Sequence, residues 1–343
     1  MQMRRALVLV LLAALSAGGC GKKSAGHAGP SPELTGLAAV PSTADVIVGV
    51  DVGRLVESPI VTRAVEQLLA REQALAGRWQ DLRGYCKLEI KQVNRLMIAL
   101  GPPPPGGKHG TGPMILIATG KISEPELVKC VREFVGKGGG SLVVKNVGGR
   151  SIYQVKETNR TMFVAFGRPD TVILGNDEAY VNEALGNGKK ALEDPELAGW
   201  LQLANQRAPV WVVGRVSDRL KTGLVRASNG LLKKGAIAYI GSVDLTSGVK
   251  GEMLALMASA EDAKQLELLA NINLTGLTWA AQFASAAKVV KKLSVAAQGD
   301  HVRFAVPLTM DDVNHLLSAL DGGEPPAQDS PPRGGSASSP SPQ

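Results

Sequence analysis

Aromatic residues are scarce in this sequence, with five Phe, four Trp and four Tyr among 343 positions. Because 44% of the chain is nonetheless hydrophobic, its interior must be filled mainly by Val, Leu, Ile and Ala. The lysines and arginines are scattered and the few aromatics are not interleaved with them, which argues against a nucleic-acid-binding surface. Histidine is rarer still: His27, His109, His301 and His315 stand in no metal-ligand spacing. The three cysteines form no C-x-x-C pair, and no G-x-S-x-G marks a nucleophile elbow. No metal, no cofactor and no catalytic residue is therefore expected. Beyond the first twenty residues, no apolar run approaches the about 20 positions that a membrane-spanning helix needs.

One apolar run is present, at the start. Arg4 and Arg5 are followed by the uncharged stretch Ala6 to Leu15, then by the small residues Ser16 to Gly19, and Cys20 comes next, in "ALSAGGCGKKS". This is the three-part plan of an export signal, too short to remain as a span. The segment resembles the lipobox that ends the signal of bacterial lipoprotein precursors. The resemblance implies removal of residues 1–19 as a signal peptide and acylation of Cys20, palmitate included, on its thiol and on the new amino terminus. Ala17 stands where that family favours leucine, with Leu15 two residues further back. Two or more acyl chains anchor a protein stably where one does so only marginally. The expected location is the cell envelope. Gly21 rather than aspartate follows Cys20, which by family analogy places the protein at the outer membrane, facing periplasm or cell surface, in a cell with two membranes.

Losing Arg4 and Arg5 with the signal lowers the formal charge from +7 to +5, a modest basic excess. The remaining cysteines, Cys86 and Cys130, would then lie in an oxidising compartment, where a pair is readily bridged. The alternative is that each is a small buried hydrophobe. Residues 20–37, rich in Gly, Lys, Ser, Pro and Ala, read as a flexible tether. Residues 322–343, Pro/Ser/Gly-rich, read as a disordered tail.

The body between them alternates strand and helix signals. "ADVIVGVDVGRL" reads as a strand, and Ser58-Pro59 opens a helix with Ile60, Val61, Ala64, Val65, Leu68 and Leu69 on one face. "RLMIALG" and "PMILIATG" are strands, and Ser123 with Glu126 forms a capping box. "SLVVKNVGGRSIYQV" is a hairpin about Gly148 and Gly149, "MFVAFG" and "TVILG" are strands, and Asn176 caps a helix stopping at Gly186. The second half replays the order. "APVWVVGRVSDRL" matches the first strand, "AIAYIGSVDLTSGVKGEMLALMAS" gives two more, Ser259 with Asp262 caps a helix, "KLSVAAQGDHVRFAVPL" is a hairpin, and Thr309 with Asp312 caps the last helix. The expected fold is α+β: two repeated units, residues 38–190 and 208–321, each a mostly antiparallel sheet covered by helices on one face, joined by a linking helix in residues 191–207. "VPSTADVIVGVDVGRLVESP" also resembles the opening of a family of exported bacterial proteins of unknown function, which supplies no catalytic residues.

Several apparent motifs fail on physical grounds. "GPPPPGGKHGTG" is no phosphate-binding loop, since four prolines remove the N–H groups that would cradle phosphate. Lys221-Thr222-Gly223 with Ser285 and Lys288 has the wrong order for a penicillin-recognising serine enzyme, and Ser247 with Lys250 repeats the same spacing by chance. Asp51 and Arg215, in matching places of the two halves, read as ion-paired or solvated strand-end charges. Trp79, Trp200, Trp211 and Trp279 read as core filling rather than a sugar groove. Two classes of function stand: a non-catalytic binding or scaffolding module with an envelope protein or polymer as partner, and a hydrolase acting on envelope polymer or peptide.

Overall fold

The alternating apolar residues of VIVGVD and VWVVGR form two neighbouring antiparallel strands, β1 (Val46–Asp51) and β8 (Val210–Arg215), at the centre of one sheet. The computed structural model describes residues 34–86, 89–107, 111–147, 149–158, 160–280 and 290–314. The expected signal, Cys20 and the tail lie outside them, as do His27, His109, His315, Ser285 and Lys288. No described helix is long and apolar enough to cross a membrane.

From β1 the chain forms α1 (Val52–Val56), α2 (Pro59–Arg71) and α3 (Gln73–Cys86), then β2 (Val93–Leu100), β3 (Met114–Gly120) and α4 (Glu124–Lys137). Four strands follow as a meander: β4 (Ser141–Val147), β5 (Arg150–Glu157), β6 (Arg160–Arg168) and β7 (Thr171–Gly175). A connecting segment holds α5 (Glu178–Asn182) and α6 (Pro195–Leu203). After β8 come α7 (Asp218–Ala227), β9 (Ala236–Asp244), β10 (Val249–Met257), α8 (Ala260–Ala280), β11 (Ser294–Gln298) and β12 (His301–Leu308). All twelve described strands join one mixed-length antiparallel sheet, in the order β11-β12-β10-β9-β8-β1-β2-β3-β7-β6-β5-β4. The protein is thus a mixed helix-and-sheet fold on a large antiparallel sheet.

Strand residues alternate between faces, and the register assigns each face its cover. One face carries Leu96, Leu116, Val155 and Val164, packed under α1 and α4, and on the other half Val302, Ala255 and Met257 under α7 and α8. The opposite face carries Ile47, Ala99, Ile115, Ile173, Trp211 and Ile240, and here the connecting segment lies, through Tyr180, Val181, Leu197, Trp200 and Leu201. The expected cover on one face is therefore corrected: helices lie on both, because the segment between the halves closes over the seam instead of merely linking them.

Other boundaries shift for local reasons. Leu34 and Thr35, expected within a tether over residues 20–37, belong to the folded body instead: Leu34 is fully buried and the Thr171 hydroxyl donates to that of Thr35 at 3.2 Å. Asp177, not Asn176, caps α5 by accepting the Tyr180 N–H at 2.8 Å, while Asn176 accepts the Met114 N–H. After α5 the helix widens into a π-turn containing Gly186 at φ 124°, a conformation that glycine tolerates. Ser123 precedes α4 with no side-chain cap bond, so the capping box expected there does not form. The Thr309–Asp312 box does form, both ways. Ser259 caps α8, but Asp262 turns to the backbone N–H groups of Lys233 and Lys234. On α2 only Ile60 of the expected apolar face is buried, and Val65 and Leu68 stay exposed, because this helix packs chiefly on α1 and α3 rather than on the sheet.

Candidate functional site

Arg215 ends β8 and reaches toward the start of α6. Asp194 caps that helix by accepting the Leu197 N–H at 2.8 Å, and the negative charge suits the helix N-terminus. Arg215 pairs with Asp194 at 3.4 Å and with Glu196, and its guanidinium lies 5.0 Å from the centre of the Trp200 ring. Trp200 is buried, so the arginine clamps the connecting helix to the sheet through both charge and stacking. A concavity of about 380 Å³ opens beside this clamp, bordered by Asp45, Ser217, Asp218 and Lys221. Ser217 is committed to capping α7, and Lys221 pairs with Asp218 at 3.3 Å.

A second concavity of about 480 Å³ lies over β9, β10 and β12, with Arg207, Asp244, Lys250, Glu252 and Arg303 at its border. Arg303 pairs with Glu252 at 2.6 Å, and Arg54 with Asp244 at 3.5 Å. The hydroxyl and N–H of Thr246 both donate to Asp244 and hold its carboxyl below the usual range, helped by Arg54. Arg54 also donates to the Arg207 carbonyl at 2.5 Å and the Ser58 hydroxyl to the Leu245 carbonyl at 2.5 Å. The Asp244 and Leu245 contacts tie α1 and the start of α2, from the first half, to the end of β9 and its turn in the second, and the Arg207 contact ties α1 to the residues just before β8.

In both places charges clamp separate elements together: Arg215 to the start of α6, Arg303 on β12 to Glu252 on β10, and Arg54 on α1 to Asp244 at the end of β9. Asp51, expected as a strand-end charge, caps α1 by accepting the Arg54 N–H at 3.2 Å, and it lies at the opposite end of the β1–β8 pair from Arg215. Trp200 and Trp211 are buried in the core, Trp79 on α3 is half-buried, and the Trp279 side chain lies outside the described residues. Cys86, closing α3, and Cys130, in α4, are joined by a disulfide with Cα atoms 5.0 Å apart. His301 lies in β12 with Nδ1 2.5 Å from Asp300. No group of three or more metal-ligating side chains occurs among the described residues. The sequence reading missed the Arg215–Asp194–Glu196–Trp200 cluster; Asp-Pro-Glu opening a helix signals an acidic N-terminus, but only the tertiary fold shows which cation it meets.

Fold and clamps together define a wide-sheet protein whose two halves are stapled through polar contacts. No family model matches the chain, and the search of curated proteins finds no match. Among solved structures, one titled "Structure of crystal form I of TP0453" is similar at 12% sequence identity, with a TM-score of 0.42 over 83% of this chain and 96% of that one. Similarity at that level transfers no activity.

Proposed function

We propose that this chain is a lipid-anchored protein of the cell envelope, held by acyl chains on Cys20, whose body is a non-catalytic binding or scaffolding module. The observation that carries the reading is the charged, apolar and small-residue sequence running directly into Cys20. The Cys86–Cys130 disulfide supports it, since such bonds persist in exported compartments and are rare in reducing ones. Acyl chains would hold the body at the membrane surface, where a broad sheet and its edges are offered to an envelope protein or polymer.

The body itself we read as a duplicated unit. Outward from the seam, the first half runs β1-β2-β3-β7-β6 and the second β8-β9-β10-β12-β11, with α4 and α8 at equivalent points of the chain. The seam is symmetric about Val48 opposite Val212: Val46 pairs with Gly214 and Val50 with Val210. The backbone bonds from Asp51 N–H to the Pro209 carbonyl and from Arg215 N–H to the Asp45 carbonyl obey the same symmetry. On this reading, the β4–β5 hairpin is an addition to the first copy.

The anchor is tested by metabolic labelling with palmitate. Label is expected in the wild-type protein and absent from Cys20→Ser; retention of label by that variant would sink the reading.

A further inference from the structure

The two ends of the sheet differ. At one end β11 is five residues long, "SVAAQ", with no large apolar side chain exposed. At the other, β4 runs seven residues, "SLVVKNV", bonded to β5 on one side and to no described strand on the other. Val143 and Val144 are 44% and 51% exposed, one on each face of the sheet, so α4, which packs on β4 from one side, leaves the outer strand uncovered. Natural edges are blunted by proline, by charge on the edge or pointing inward, or by short length. This one has no proline, and its single charge, Lys145, is paired with Glu178 at 2.7 Å, so that its middle, Leu142 to Val144, carries none of these devices.

The backbone polarity of β4 follows from its hairpin. Val147 pairs with Arg150 across a two-residue connection, which makes them the hydrogen-bonded pair that flanks such a turn. Residues 147, 145, 143 and 141 therefore direct their N–H and C=O groups to β5, and residues 142, 144 and 146 direct theirs outward. A partner strand must meet Leu142 and Val144 with its own outward groups.

We propose that the β4 edge pairs antiparallel with the β4 edge of a second copy of this chain, about a two-fold axis through Val143. That register places Val143 opposite Val143, Leu142 opposite Val144 in both directions, and Ser141 opposite Lys145. It joins the outward N–H and C=O groups of Leu142 and Val144 in hydrogen-bonded pairs and covers both exposed valines with apolar partners. Centring on Val144 instead would set Leu142 against Asn146 and Val143 against Lys145, apolar against polar or charged side chains, and would leave the exposed Val143 without an apolar partner. A pairing of about five residues is small beside the roughly 1,200 Å² of a stable interface. The association is accordingly weak and reversible in solution, and confinement of the chains to one surface would raise its occupancy.

The register is tested by cysteine crosslinking of the full-length protein in intact cells, with oxidant added and dimers read on a non-reducing gel. Val143 occupies a non-hydrogen-bonded position on the axis, where facing Cβ atoms lie about 4.5–5.5 Å apart, so Val143→Cys should give a dimer that reductant dissolves. Lys145→Cys alone and Ser141→Cys alone should remain monomeric, while the two expressed together should crosslink. Exposure of Val143 makes its replacement compatible with folding, and the mixed pair gives a second readout that does not depend on it. A monomer in both the Val143→Cys and mixed arms, equal crosslinking of Lys145→Cys alone, or a bond to a different protein would overturn the proposal. The occupancy rests on the proposed anchor, and palmitate labelling of the same cells distinguishes the two failures: labelled protein that gives no crosslink overturns the pairing, and unlabelled protein overturns the anchor.

Discussion

Tyr180 shows how one residue of the connecting segment reports on its burial. The side chain is 2% exposed, and burial first, then the Glu183 and Asp45 carboxylates, raises its hydroxyl well above the usual phenol value of about 10. With a folded pKa above the unfolded one, its contribution to stability is fully present below pH about 10 and is lost as pH rises through the folded pKa. Tyr239 shifts in the same direction through burial and Asp45. Lys190 shifts oppositely: burial lowers it, so the unfolded chain binds the extra proton and its contribution rises with pH over that interval. Tyr180→Phe separates these effects. Relative to the wild type, the variant should gain up to about 1.4 kcal/mol of stability per pH unit above pH 10, by urea unfolding between pH 9 and 11.5. Parallel curves for the two proteins would show that the hydroxyl is not buried as described.

The seam between β1 and β8 is the element on which the single sheet depends. Gly49 faces Trp211 across it, and a Cβ at Gly49 would come 2.1 Å from the indole, with Gly214 under Tyr239 in the same relation on the other face. The ring fills the space that glycine leaves, which is how an aromatic-poor core closes at its centre. Gly49→Ala should therefore destabilise by about 1–3 kcal/mol through overpacking. Gly77→Ala on α3, where a Cβ meets nothing within 4 Å, should stabilise by about 0.5–1 kcal/mol through helix propensity. Denaturant midpoints of the two variants, moving in opposite directions, check the packing. Local features such as these strands, the β4–β5 hairpin and the Thr309 cap were legible in the sequence because their signals lie within a few residues. The joining of halves into one sheet was not, since the alternation in VIVGVD gives each strand's faces but not its neighbour. The apolar stripe of α2 likewise predicted a helix correctly but not that Val65 and Leu68 would stay exposed.

At the scale of the whole molecule, the charge clamps hold the connecting segment and both halves to one sheet. Arg215 fixes α6, Arg54 ties α1 to Asp244 at the end of β9, and Ser58 ties the start of α2 to the β9–β10 turn. The candidate site was the least legible feature, because paired charges such as Arg215 with Asp194 and Glu196 join residues from separate elements and leave no spaced motif of the kind that nucleophiles and metal ligands leave. The proposed anchor, by contrast, rests on consecutive residues, Arg4 to Cys20, and bears the functional reading. The most direct test is the mass of the amino-terminal peptide of the protein extracted from its own envelope. The account predicts that this peptide begins at Cys20 and carries acyl chains on its thiol and on its new amino terminus. A peptide beginning elsewhere, or an unmodified Cys20, would contradict it.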